Sequence, residues 1–144
     1  MVSSRDGEMI NGQTNNTLFQ ITADPTRIVL GINKANLTHD YLIRSGLAAV
    51  TVLNLDGLDH VRHFGFQSGR TRDKFKDRPY QLSPLVGCPV LPNQVAYLEC
   101  QVVPDTLVSL NTHTMFVCDV VGGGLLAGGS PMTYSDYRRL KNQK

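Results

Sequence analysis

Residues 47–53 read LAAVTVL, with Thr51 the single polar member, Gly46 in front and Asn54 behind. A run of that length and composition suits a strand buried on both faces, and it is too short for a buried helix. Such a strand needs partners on both edges and apolar cover above and below. The rest of the sequence offers them. Residues 17–22 (TLFQIT) alternate in the strand manner, Asp24 and Pro25 interrupt, and 27–32 (RIVLGI) resume as a second strand. Residues 95–103, 106–110 and 112–121 read as further strands, Gly122, Gly123 and Gly124 as a turn, and 125–127 as a continuation.

Three segments change period. Leu37, Tyr41 and Leu42 lie near helical spacing, with Thr38 as the expected N-cap and Gly46 as the C-cap. Leu58, Val61 and Phe64 mark a second short helix, and Tyr134, Tyr137 and Leu140 a third. Residues 67–80 carry little apolar content and read as a loop or flap. There is no internal repeat and no low-complexity linker. The expectation is one mainly β domain over residues 1–144, a small barrel with helical plugs.

At 144 residues the chain is long enough to bury a core. A formal net charge of +2 excludes a strongly basic nucleic-acid tail. No apolar stretch approaches the roughly 20 residues that span a bilayer, and MVSSRDGEMINGQ lacks a secretion signal's apolar core. A cytoplasmic protein with neither a nucleic-acid nor a membrane partner is expected. Cys88, Cys100 and Cys118 form no CxxC pair, and Cys100 and Cys118, each in an apolar strand-like run, read as inert buried thiols.

The candidate site residues are polar and sit where strands end. Asn33, Lys34, Ala35, Asn36, Leu37 and Thr38 follow an apolar strand and precede a helix. That stretch is either a turn with a cap or an anion site built from helix N–H groups, an ammonium and a hydroxyl. A second cluster, Asn11, Gly12, Gln13, Thr14, Asn15, Asn16 and Thr17, is either a polar loop or an array of donors and acceptors for a planar heterocycle. His113 opens an apolar strand, where it either orients a substrate and exchanges a proton or is structural. His60 and His63 could share a helical face with His39 as a third metal ligand, but the pair reads as solvated surface residues, and no metal site is expected. The loop from Ser68 to Arg78 holds five cations and two carboxylates, with Phe64, Phe66, Phe75 and Tyr80 interleaved. It reads as an exposed loop, a flap over a phosphorylated dinucleotide, or a surface for single-stranded nucleic acid.

Five segments in order resemble the flavin reductase-like family: SSRDGEMINGQTNNTLFQITADPTRIVLGINKANLTHDYLIRSGLAAVTVLN, FGFQSGRTRDKF, AYLECQVV, THTMFVCDVV and SPMTYSDYRRLK. The segments INKANLTHDYLIRSG and PMTYSDY resemble its branch of FMN modules that work with rubredoxin and flavodiiron proteins. The resemblance implies an FMN-binding split β-barrel of Greek-key type with a few short helices. It implies that Asn33, Lys34, Asn36, Leu37 and Thr38 lie against the FMN phosphate and ribityl chain. Gln13, Thr14, Asn15, Asn16 and Thr17 would lie along the ribityl and isoalloxazine. Ser68, Gly69 and Arg70 would border the site, and His113 would stand near the nicotinamide or the flavin's reactive face.

The implied activity is hydride transfer from NADH or NADPH to FMN, followed by electron release to an acceptor. A homodimer is implied, with rubredoxin or a flavodiiron protein as a candidate acceptor. The competing function is an FMN electron-transfer module without independent turnover; a ligand-binding barrel with no redox role is a third. The family's upstream helix and most of its first strand have no counterpart before SSRDG. A clipped barrel with an open edge at its start, or a piece of a larger fusion, is therefore expected.

Overall fold

The first reversal is the one that Asp6 and Gly7 ask for, with Gly7 at a φ of +60°. In this computed structural model, which describes residues 1–142, it joins β1 (Val2–Asp6) to β2 (Met9–Gln13). Residues 143 and 144 of the expected domain lie outside the described residues. The chain continues through β3 (Leu18–Ala23), β4 (Thr26–Asn33), α1 (Leu37–Ser45) and β5 (Leu47–Val52). A 3-10 turn and α2 (Leu58–Gly65) follow, then a long loop and the short β6 (Gln81–Leu82) and β7 (Pro89–Val90). β8 (Ala96–Val102), β9 (Val108–Ser109), β10 (His113–Leu125) and α3 (Tyr134–Leu140) complete it.

The main sheet is antiparallel in the order β2-β1-β5-β8-β10-β4-β3, with β9 also pairing β10. β5 lies between β1 and β8, and Ala48 and Ala49 are wholly buried on its opposite faces. This is the two-sided burial that the LAAVTVL run requires. Its Ala48 and Val50 join Ile28, Leu30 and Ile32 of β4, Leu42 of α1 and Phe116 of β10 in the largest core cluster.

Four expectations need correction. Val2 to Asp6 does form a strand, paired to β2 on one side and β5 on the other, so no open edge lies there. The edges are β2 and β3. The three glycines do not turn: Gly122, Gly123 and Gly124 continue β10 opposite Glu99, Leu98 and Tyr97, after a bulge at Val120. A Cβ on Gly123 would stand 2.6 Å from the Tyr97 carbonyl oxygen, so glycine here allows close strand approach. Leu125 accordingly ends β10, Leu126 and Ala127 lie beyond it in no strand, and 106–110 contribute only the two residues of β9. Finally, α1 begins one residue before Thr38, with Asn36 as N-cap. Gly46, at φ +67°, closes α1 as expected, donating its N–H to the Leu42 carbonyl at 2.9 Å.

Candidate active site

The two polar clusters meet where β2 ends and α1 begins. β2 delivers Asn11 and Gln13, both nearly buried, and α1 delivers Thr38. Asn11 Nδ2 donates to Thr38 Oγ1 at 2.8 Å, and Asn36 Nδ2 donates to Gln13 Oε1 at 2.9 Å. Asn36 therefore spends its side chain on β2 and does not cap α1, which leaves first-turn N–H groups free to meet an anion. The loop after α2 comes up against this pair. Gly69 packs on Asn11 so closely that a Cβ would fall 2.2 Å from Oδ1. Arg70 anchors the loop by donating from Nε to the Ala35 carbonyl at 2.9 Å and pairing with Asp40 at 2.8 Å.

The result is a small polar notch of about 50 Å³ lined by Gln13, Thr14, Asn36, Leu37, Thr38, Ser68 and Gly69, all expected, and by Asn11, Gln67 and Lys74. Gln67 Oε1 is buried in it without a partner. Lys74 is only 5% exposed, and its Nζ donates to the carbonyls of Gly12 at 2.9 Å and Phe64 at 3.0 Å. Burial pulls its ammonium pKa down to about 8. The notch shares Thr14 and Gly65 with a larger cleft of about 670 Å³, which has Asn15, Asn16, Val50, Leu53, Phe66, Met132 and Tyr134 among its walls. It shares Asn11, Leu37 and Gly69 with a cleft of about 690 Å³ bordered by Tyr41, Arg70, Arg72, Lys76 and Tyr80.

Four expected residues line none of these spaces: Thr17, Asn33, Lys34 and His113. Thr17 packs its methyl over Gly31 and accepts the Gly31 N–H at 3.0 Å. Asn33 Oδ1 accepts the Ala35 N–H at 2.9 Å, which makes the turn into α1. Lys34 is turned away: its Nζ donates to Ser109 Oγ at 2.8 Å and to the Leu110 carbonyl. His113 sits opposite Asn33 in the β4–β10 register, with Nδ1 2.8 Å from Thr112 Oγ1. The histidine at the root of α1 is His39, whose Nε2 is 2.8 Å from Thr114 Oγ1 and whose ring meets Phe116 edge-on. His63 Nε2 is bonded to the Lys74 carbonyl oxygen at 2.8 Å, and His60 Nδ1 is buried without a hydrogen-bond partner.

Reading the sequence as charge clusters missed Lys74, because it lies among four other cations in a stretch that looks solvated. The available signal was its neighbour Phe75, which is buried with Phe64 in a second core cluster and carries Lys74 inward with it.

A mainly β sheet with short helices and a polar notch at a strand-to-helix junction can be compared with known proteins. The family described as flavin reductase like domain matches residues 1–142. The chain belongs to that family. It is 38% identical to the high molecular weight rubredoxin of Moorella thermoacetica, over 98% of this chain and 61% of that protein. It is 34% identical to the ferric-chelate reductase (NAD(P)H) of Archaeoglobus fulgidus, over 100% of this chain and 85% of that one. Among solved structures, the FMN-binding protein from Thermus thermophilus superposes with a TM-score of 0.79 at 25% identity, over 86% of this chain and 69% of that chain. The fold is thus the family's split barrel, and this flavin reductase-like chain spans less than two thirds of the rubredoxin it matches.

The notch also suits the flavin mononucleotide that the resemblance implies. An orphaned amide oxygen at Gln67, an uncapped helix start and an ammonium without a carboxylate partner are what a group with hydroxyls and a phosphate would satisfy. The adjoining apolar cleft has room for a planar ring.

Proposed function

We propose that the chain is an FMN-binding NAD(P)H:flavin oxidoreductase. The observation that carries this reading is the convergence of Gln13, Thr14, Asn36, Leu37, Thr38, Ser68 and Gly69 on one polar notch beside an apolar cleft. FMN, when bound, supplies hydride acceptance and electron release. The chain supplies the rest. Leu37 and Thr38 offer N–H groups and a hydroxyl to the phosphate end, and Gln13, Asn36 and Ser68 offer polar atoms to the ribityl hydroxyls. Thr14, Asn15 and Asn16 border the ring cleft, where Phe66 and Tyr134 exclude water from one face. Asn33, Lys34 and Arg70 hold the 33–38 turn in place, and Thr17 supports it through Gly31. His113 stands beside Asn33 at the strand end and serves the nicotinamide side.

The test is an anaerobic absorbance titration of the FMN-loaded chain with NADH and with NADPH. Bleaching of the flavin bands, followed by turnover with free flavin or a ferric chelate, is the expected result. Bound flavin that neither nucleotide bleaches favours the second reading, an electron-transfer module that serves a rubredoxin or flavodiiron partner. The 38% identity to a high molecular weight rubredoxin supports that alternative.

The same proposal includes a homodimer, since Phe66 and Tyr134 on the rim of the apolar cleft are 72% and 57% exposed and a second copy would cover them. Light scattering should then give twice the 15.9 kDa chain mass. It also includes a cytoplasmic setting, consistent with three free cysteines. No helix among the described residues is long and apolar enough to cross a membrane.

A further inference from the structure

Lys74 has a place in the fold that a surface-loop lysine does not. Its side chain is buried, and two of its three N–H bonds end on the Gly12 and Phe64 carbonyls. The third has no protein partner, and no carboxylate lies within ion-pair distance of Nζ among the described residues. A buried ammonium held only by two neutral oxygens is costly, and the cost falls when an anion reaches it. The residue borders the notch together with the first turn of α1, Ser68 and Gly69. Lys34, the lysine of the strand-to-helix stretch, has its ammonium engaged at Ser109 and Leu110.

We infer that Lys74, rather than Lys34, is the cation that makes the notch an anion site, and that it takes the phosphate monoester of the flavin. The inference rests on the flavin reading above and names the residue that supplies the charge. Phosphate oxygens would complete the third N–H bond of Lys74 and accept from the free N–H groups at the start of α1, two contributions from opposite walls of one small space. Charge balance at this point depends on few groups. The residues that β2, α1 and α2 give to the notch are uncharged, namely Asn11, Gln13, Leu37, Thr38, Phe64 and Gly65. His63 of α2 bonds the Lys74 backbone carbonyl rather than its ammonium, and Asp73 Oδ1 accepts from the Phe75 N–H at 2.9 Å. A dianion in the notch therefore has Lys74 as its one nearby cation among the notch-lining residues. Its affinity falls as pH rises past about 8, where the free ammonium loses its proton.

The experiment compares FMN with riboflavin, which lacks the phosphate, on the wild-type chain and on Lys74→Met. Wild type should prefer FMN, and the substitution should remove roughly 10- to 100-fold of FMN affinity, the range expected for a charge-assisted bond, while riboflavin affinity stays put. An unchanged FMN-to-riboflavin ratio overturns the inference, as does loss of that ratio in Lys34→Met instead. Failure of the wild type to bind either flavin overturns the flavin reading and leaves a separate arm for the charge. In that arm the Lys74 side-chain resonance of the wild-type chain is titrated with pH, with and without inorganic phosphate, so a variant that fails to fold does no harm. Phosphate should raise the titration midpoint. A midpoint indifferent to phosphate means that Lys74 merely braces β2 against α2, and the inference is wrong.

Discussion

At the scale of single residues, the site depends on polar side chains that hold one another before they hold any ligand. The Asn11–Thr38 bond is the clearest case, because both residues are buried and Gly69 is pressed against the asparagine. Gly69→Ala must push Asn11 aside and strand the Thr38 hydroxyl. The expected cost is about 1–3 kcal/mol, shared between folding and FMN binding, and thermal melts alongside a fluorescence titration would apportion it. No loss in either would show that the loop moves freely away from β2. Lys74 gives a pH signature to the chain without ligand. Folded, it sheds its proton above about 8, whereas unfolded it keeps it to its ordinary 10.5. Between those values the unfolded state binds more protons, so this group makes stability rise with pH across that window. The stability of wild type relative to Lys74→Met should rise between about 8 and 10.5 in melting curves taken across that range. A difference that does not change with pH would contradict the burial of the ammonium.

Among elements, α1 and β10 decide most. α1 is anchored by Leu42 in the core and by the ion pair of Arg44 with Asp6 of β1, so its uncapped start is held facing the notch by tertiary contacts and not by a side-chain cap. β10 runs for 13 residues because its glycines let it pass close to β8. Gly123→Val would force a side chain against the Tyr97 carbonyl and should destabilise by about 1–3 kcal/mol in denaturant unfolding. A neutral result would return the glycine run to the turn that its composition suggests. Phe116, wholly buried at the centre of the same strand, should cost about 3–5 kcal/mol when replaced by alanine.

For the whole molecule, the sheet shields all three thiols. Burial pushes the pKa of Cys88 and of Cys118 up to about 12 and raises that of Cys100 as well. A thiol-exchange reagent at neutral pH should label none of them until the chain unfolds, and then all three together. Stepwise labelling in the native state would point to local opening of β8 or β10.

What the sequence determined by itself was whatever depends on neighbours along the chain. LAAVTVL had to be a two-sided strand, Gly46 had to end a helix, and the polar 13–17 and 33–38 stretches had to sit at strand ends. Most of the candidate site was legible for that reason, since Gln13, Thr14, Asn36, Leu37 and Thr38 border one notch. Tertiary structure decided what depends on contacts between distant segments. Lys34 and Lys74 are both lysines in polar stretches, and only packing turns the first toward Ser109 and draws the second inward behind Phe75. The glycine run could be a turn or a close strand crossing, and the position of Tyr97 chose the crossing. Local spacing carries periodicity and caps. The direction in which a long charged side chain leaves the backbone is fixed only when the rest of the fold closes around it.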